Sequence, residues 1–430
     1  MLDAKTHTIM AKHVVVIGAG VVGAATAHHC LRAGLQVTLL DPGQPGQSQA
    51  ASFGNAGWLS PHSILPPAYP GVWKQVPSWL LDPLGPLTIR WRYLPKALPW
   101  LKDYLASAWT YAQIKQTSMA LRALLNHAPD LHKAMATAIG VGELINVREV
   151  LHAYRTPAEF QADSMGWAIR RDAGVTWREF KDEALRVLEP QLNTEYQFGV
   201  LVDNTGYCVN PSLYVQSLVS DSLNAGAELF CAHAQSFRFE GETLTAVQTD
   251  AGEIKCDAAV IAVGARAQAL AQQAGDAVPL ATERGYHYVV QAPGEGPNHP
   301  TMFMDKKLIV TPMASGLRIA GQVEIAELDD VPNWQRAQVL RKHLASIYPS
   351  LASRIAADQI NVWMGRRPSL PDGLPCIGFA SRSRSVIHAY GHGHVGLASS
   401  ARTGRLVAQL LAGTDPEIDL TPFSAERFKK

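Results

Sequence analysis

Three glycines near the start of the chain, Gly18, Gly20 and Gly23, have the spacing Gly-x-Gly-x-x-Gly, and Asp41 follows 18 residues after the last of them. That pattern is suited to holding phosphates. The first glycine permits a tight turn, the second lets backbone approach a pyrophosphate, and the third allows a helix to pack closely on a strand. Amides left unpaired at the start of that helix, with the positive end of its dipole, hold the phosphates. Asp41 falls near the ~20-residue offset of a carboxylate that takes ribose hydroxyls.

The elements that must position this motif are legible on either side of it. Val14–Ile17 is a β-branched apolar run of the length expected for a buried parallel strand. The pattern predicts a helix over Val21–Arg32, closed at Ala33-Gly34, and a second strand over Gln36–Leu40 that ends at Asp41. Pro42 to Gly57 is then rich in Gly, Gln, Ser, Ala and Asn. It reads as a polar loop with room for backbone close to a ligand, which favours a long, extended cofactor of the FAD type. An NAD enzyme would normally follow Asp41 soon with a third strand.

At 430 residues the chain is long for one core, so two domains are expected. A net charge of +1 gives no electrostatic bias towards nucleic acid. The five cysteines are scattered without a Cys-x-x-Cys, which indicates core thiols in a reducing compartment and neither a zinc site nor a disulfide framework. No signal-peptide pattern precedes the first strand, and no apolar stretch reaches the ~18 residues of a spanning helix. The expected location is the cytoplasm, with peripheral contact on the cytoplasmic face of the inner membrane left open.

Further along, Trp100 to Ala138, Phe160 to Gly174 and Trp177 to Leu188 read as helical. Asn210 caps a helix running to about Asn224, and strands follow over Glu228–Ala232, Leu244–Thr249 and Asp257–Gly264. Gly285–Gln291 alternates, and Leu308–Pro312 with Leu317–Gly321 forms a hairpin across Ala314-Ser315-Gly316. That hairpin belongs to an antiparallel sheet.

Several later segments join the amino-terminal motif: Ser52-Phe53-Gly54-Asn55-Ala56-Gly57, Arg284-Gly285-Tyr286, Trp363-x-Gly365-x-Arg367-Pro368-x-x-Pro371-Asp372-Gly373, and Gly391-His392-Gly393-x-x-Gly396. Spread over nearly the whole chain in family order, they make it resemble the FAD-dependent D-amino acid dehydrogenases and oxidases, and most of all the bacterial dehydrogenases. The resemblance implies an α/β fold with a discontinuous Rossmann-like FAD-binding domain (residues 11–65, 195–275 and 360–425). A substrate domain with a mixed, antiparallel-rich sheet and helices would take residues 66–194 and 276–359. It implies oxidation of the Cα–N bond of a D-amino acid, or of a cyclic imino acid such as D-proline or hydroxyproline, with hydride passing to FAD and electrons on to a quinone or other acceptor. The alternatives are an oxygen-using glycine- or sarcosine-type oxidase and, in another class, an NAD-dependent dehydrogenase or a non-catalytic flavoprotein.

The same resemblance nominates residues. Arg367 would take the substrate carboxylate, for which a bidentate guanidinium is the strongest partner, and Arg366 would point elsewhere on a strand. Tyr286 would donate its hydroxyl to that carboxylate. His392 and His394 would pass the flavin in a loop before a helix beginning near Ala401, and His62 would line the pocket. Cofactor contacts would come from Gly18, Gly20, Val22, Gly23 and Asp41, from Ser52, Asn55, Ala56 and Gly57, and from Ala234, Ala262 and Gly264. Gly365, Gly393, Val395, Gly396 and Leu397 complete that set. The related sarcosine oxidases attach FAD through a cysteine before the Pro-Asp pair; Gly365 stands in that neighbourhood here, so FAD is expected to be noncovalent. His392 and His394 lack carboxylate or cysteine company, and no metal is implied.

Six tryptophans (Trp58, Trp73, Trp79, Trp91, Trp100 and Trp109) fall within 52 residues, and Pro61 to Lys115 carries six basic residues against two acidic ones. That mix favours a membrane interface. One reading docks part of Tyr69 to Trp109 on the membrane of a quinone-linked enzyme; the other makes it substrate-domain core with a solvated basic rim.

Overall fold

The computed structural model describes residues 12–67, 84–291, 296–352 and 361–429, to which all counts here refer. Val14, Val15 and Val16 have no accessible surface, as a central parallel strand covered on both faces must. The strand His13–Ile17 pairs in parallel with Gln36–Leu40 on one side and Ala258–Ile261 on the other. The described six-stranded sheet runs Glu228–Phe230, Gln36–Leu40, His13–Ile17, Ala258–Ile261, Val386–Tyr390 and Cys376–Phe379, with only the last strand antiparallel. Segments from near both ends of the chain therefore share one sheet, with Ala258–Ile261 between them.

Helices Val21–Arg32 and Gly396–Leu411 pack together against this sheet. They meet where a Cβ on Gly404 would come 2.6 Å from the Ala25 carbonyl carbon, an approach only glycine allows. Apolar residues of a three-stranded sheet, Ala234–Glu240, Thr243–Thr249 and Gly252–Lys255, join Val15 and Ile17 in a second core cluster.

The second large sheet has nine described strands. In order they are Asn361–Ser369, Ala281–Val290, Gly316–Ile325, Leu308–Met313, Thr301–Phe303, Val150–Tyr154, Phe198–Val202 and Trp177–Lys181, with Leu87–Ile89 added in parallel to Gly316–Ile325. The expected hairpin is present: Leu308–Met313 pairs antiparallel with Gly316–Ile325. Two segments expected in the FAD-binding domain belong to this sheet by their pairing, Phe198–Val202 with Val150–Tyr154 and Asn361–Ser369 with Ala281–Val290. Trp177–Lys181, expected to be helical, is an edge strand on Phe198–Val202, and the helix starts only at Asp182. Pairing with a neighbouring strand overrides the local pattern there.

The helix read from Trp100 to Ala138 is three helices, Leu94–Ser107, Tyr111–Leu125 and Ala128–Ala138, divided by the capping box of Thr110 and Gln113 and by Pro129 in a first turn. Helix Val21–Arg32, strand Gln36–Leu40 and helix Pro211–Asn224 fall on their expected residues. Among the described residues no helix is long and apolar enough to cross a membrane.

A β-bulge interrupts the pairing of Ala281–Val290 with Gly316–Ile325 between Arg284 and Tyr286. Opposite it Gln322 adopts φ 66°, a left-handed conformation unusual outside glycine. Bulges of this kind re-aim groups out of the ladder, and the Gln322 carbonyl accepts a hydrogen bond from a side chain, Arg367 Nη1, at 3.4 Å.

Candidate active site

A cavity of about 880 Å³ opens between the two large sheets. Part of its wall is the glycine turn, and the three glycines do different work there. Gly18 sits at φ 102°, and a Cβ on it would lie 2.6 Å from the Ala262 carbonyl oxygen. A Cβ on Gly23 would overlap the Gly18 carbonyl oxygen, so Gly23 sets helix–strand packing and does not itself line the cavity. Gly20 differs: the nearest atom to an added Cβ is Ser52 Oγ, 3.9 Å away. Nothing in the protein requires glycine at that position.

Beside this bare backbone, Ser52 Oγ is buried without a hydrogen-bond partner. The helix starting at Val21 has no side-chain cap and no acidic residue in its first turn. An open helix start, an orphaned hydroxyl and free space at Gly20 fit a pyrophosphate. Asp41 lines the same wall. Its Oδ2 accepts from the Ala19 amide at 2.7 Å and its Oδ1 from the Gly43 amide at 2.8 Å. A carboxylate with two such bonds keeps lone pairs for ribose hydroxyls.

Of the other nominated cofactor contacts, Val22, Asn55, Ala56, Ala234, Ala262, Gly264, Gly365, Gly393, Val395, Gly396 and Leu397 all line the cavity. Gly57 does not. At φ 83° it packs 2.5 Å (as an added Cβ) from the Cys208 carbonyl, and its amide donates to Asn55 Oδ1, so it shapes the loop. The helix expected near Ala401 begins at Gly396 and brings a second uncapped amino terminus to the cavity. None of the five cysteines lines it. Cys376 is buried, and that burial pushes its thiol up to about 11.

Arg367 and Glu283 are direct partners across neighbouring strands, and both open onto the cavity. Arg367 reaches over Gly285, where any Cβ would overlap its guanidinium, to the Gln322 carbonyl. Among the described residues no ion pair holds it. Burial lowers its pKa and the Glu283 carboxylate opposes that shift. Burial raises the pKa of Glu283, against the pull of Arg367 and a hydrogen bond with Ser369. Arg366, on the other face, donates to the Leu328 carbonyl at 2.6 Å, as alternation along a strand requires.

Three nominated residues are placed differently from their expected roles. Tyr286 shares the face of Arg284. Its hydroxyl donates to Glu324 Oε2 at 2.6 Å and accepts from the Asn333 amide at 3.0 Å, which leaves it nothing to offer a substrate carboxylate. His62 is 1% exposed, does not line the cavity, and meets His152 Nε2 at 2.9 Å through its own Nε2; burial holds its pKa well below the usual range. His392 pairs with Thr403 Oγ1 at 3.1 Å, and burial pushes its pKa down to about 3, so its ring is a neutral brace. Tyr286, His392 and His394 all border the cavity, but Tyr286 and His392 are buried and only His394 of the three is exposed. Enclosure by protein and then the Arg367 charge push its pKa down to about 4.

Sequence reasoning missed Glu283, Gln322 and Lys307, all in the cavity wall. Glu283 was within reach, because it lies two residues before Gly285 on one pleat face. Gln322 and Lys307 carry no local signal. Of the clustered tryptophans, Trp58 and Trp100 are buried, whereas Trp91 and Trp109 are 76% and 74% exposed; Trp73 and Trp79 lie outside the described residues.

The fold and this cofactor cradle define a flavin-dependent oxidoreductase. The chain belongs to the family described as "DAO: FAD dependent oxidoreductase", whose model matches residues 13–410, and its cofactor is FAD. It is 53% identical over 417 residues to a "D-amino-acid oxidase" of Bradyrhizobium diazoefficiens, covering 97% of this chain and 99% of that one. It is 27% identical to a "D-amino acid dehydrogenase" of Granulibacter bethesdensis, with 96% and 99% covered. Among solved structures, glycine oxidase from Geobacillus kaustophilus superposes with a TM-score of 0.78 at 20% identity over 98% of this chain and all of that one, which shows the shared fold.

Proposed function

We propose that the protein oxidises the Cα–N bond of a D-amino acid, giving an imine that water hydrolyses to the 2-oxo acid. One observation carries this: a guanidinium that no ion pair holds among the described residues, Arg367, and a carboxyl, Glu283, stand side by side in the same cavity as the glycine cradle. They are complementary to the two charged groups of an amino acid. The name of the relative at 53% identity supports the D configuration.

Arg367 holds the α-carboxylate through two N–H donors and thereby fixes Cα. Glu283 faces the amino group. With its pKa raised by burial it is a better proton acceptor than an exposed carboxylate, and it takes the ammonium proton so that the nitrogen lone pair can assist oxidation. Neutral His394 lines the wall without adding a competing charge. FAD, held noncovalently at Gly20, Ser52 and Asp41, supplies the acceptor for the Cα hydrogen and two electrons. The six-stranded sheet then belongs to an FAD-binding part of the chain and the nine-stranded sheet to a substrate-binding part.

The test is anaerobic bleaching of the yellow protein by a panel of D- and L-amino acids. Bleaching by D-enantiomers supports the reading, and bleaching by L-enantiomers alone or by none refutes it. Acid precipitation should release all colour into the supernatant; colour in the pellet would mean a covalent link.

Two electron acceptors are each favoured by an observation. Exposed Trp91, Leu98, Leu105 and Trp109, with Arg92, Lys96 and Lys102 nearby in sequence, suit contact with a membrane and a quinone. The name of the relative at 53% identity favours oxygen. Hydrogen peroxide formed in step with dye-linked turnover selects oxygen, and slow peroxide formation beside fast quinone reduction selects the membrane.

A further inference from the structure

Four cationic residues border the cavity; Arg266 and Arg366 are engaged by Asp329, and besides Arg367 that leaves Lys307. It stands just before the strand Leu308–Met313, at φ 51°, a conformation lysine rarely adopts. Leu308 and Phe303 pack into the core behind the sheet, whereas Met302, Lys307 and Ile309 line the cavity. Its neighbour Lys306 is paired with Asp305 at 2.6 Å. No ion pair or hydrogen bond joins Lys307 to any described residue. Asp163 is close enough to act on it, but Asp163 Oδ2 already accepts from the Tyr154 hydroxyl at 3.0 Å, and the Arg170 guanidinium shares that corner. Burial lowers the pKa of the Lys307 ammonium, the Asp163 carboxylate opposes that, Arg170 adds to the lowering, and Asp305 and Glu159 oppose it more weakly.

The sheet brings this cation near Arg367. Leu308 pairs with Gly321, so Lys307 lies beside Gln322, the residue whose carbonyl accepts from Arg367. Neighbouring strands are about 4.8 Å apart, so both cations flank one backbone position. Gly321, Val323 and Ile309, sequence neighbours of Gln322 and Lys307, also line the cavity and suit methylenes. A half-buried ammonium that a bound apolar side chain covered would lose its water and gain no partner, which is costly. A carboxylate two or three carbons from Cα would pair with it.

We propose that Lys307 binds the side-chain carboxylate of the substrate, and that the preferred substrates are D-amino acids with acidic side chains, of the aspartate or glutamate type. This rests on the D-amino acid reading above. The experiment compares kcat/KM for D-glutamate and D-aspartate with that for the isosteric amides D-glutamine and D-asparagine. It uses wild type, Lys307→Gln and Lys307→Arg, with binding of glutarate followed by calorimetry on the FAD-loaded protein.

Wild type should favour the acids by about thirtyfold or more, the scale of losing one partner of a desolvated charged pair. Lys307→Gln should lower the acid-to-amide ratio by a comparable factor and weaken glutarate binding, and Lys307→Arg should restore the preference. Equal or better use of the amides by wild type overturns the proposal, whether or not the variants fold. A ratio unchanged in Lys307→Gln also overturns it. Turnover of neutral D-amino acids in either case leaves the broader reading standing, whereas turnover of no D-amino acid removes both.

Discussion

Replacing Gly20 by valine should strip the protein of FAD and leave the fold standing, and Gly23→Ala should damage the fold itself. The contrast follows from what a new Cβ meets at each position. Gly20 is extended, with φ −70° and ψ −178°, and any residue adopts that conformation. Its nearest neighbour is 3.9 Å away, so the apoprotein should change in stability by no more than about 0.5 kcal/mol, as for an unobstructed site. At Gly23 the new methyl overlaps the Gly18 carbonyl oxygen, and helix and strand must part; overpacking of this kind costs about 1–3 kcal/mol or more. At Gly20 the valine fills the space next to Ser52 Oγ that the pyrophosphate needs. Losing that approach should weaken FAD by about 100-fold or more, which is about 2.7 kcal/mol. Urea unfolding of the apoproteins reads the first quantity, and titration of FAD by quenching of its fluorescence reads the second. If Gly20→Val unfolds as readily as Gly23→Ala, or binds FAD as wild type does, the assignment of the cradle is wrong.

Arg367→Met should lower kcat/KM by about 30-fold to several thousandfold at unchanged FAD content, because removing one partner of a buried charged pair costs about 2–5 kcal/mol; a tenfold loss or less would point to another carboxylate anchor. Tyr286→Phe removes a hydroxyl lodged between Glu324 and the Asn333 amide. It should cost about 1–3 kcal/mol of stability in urea, and a large fall in kcat/KM at normal stability would return Tyr286 to the substrate. His132, His287 and His392 have pKa values pushed down by burial to about 4, 3 and 3, respectively. Each stays neutral in the fold while the unfolded chain takes up its proton near pH 6.5, so their contribution is intact above that pH and is lost as pH falls towards the folded values. Each removes up to about 1.4 kcal/mol per pH unit, and a urea midpoint that stays flat from pH 7 to 5 would refute this.

The parts legible in the sequence were those whose physics is local. The turn at Gly18, the helix Val21–Arg32 and the strand Gln36–Leu40 depend on neighbours a few residues away, and they fall on their expected residues. Alternation along one strand was likewise enough to separate Arg367 from Arg366. It could not say which face of the strand Ala281–Val290 opens Glu283 to the cavity and which turns the hydroxyl of Tyr286, nominated by resemblance, to Glu324. That choice depends on the six-stranded sheet lying opposite, which no local pattern encodes. His62 is spent on His152, 90 residues away, and Trp177–Lys181 is a strand because Phe198–Val202 offers it an edge. Lys307 and the turned-out carbonyl of Gln322 arise from two left-handed residues beside one pairing, Leu308 with Gly321, at the open end of the hairpin. The sequence alone thus indicated a dinucleotide cofactor through the glycine spacing, and by its resemblance to the family it indicated FAD and nominated Arg367 for a substrate carboxylate. Only the tertiary structure decided which charges face the cavity, because a pleated strand presents two faces and long-range packing chooses between them.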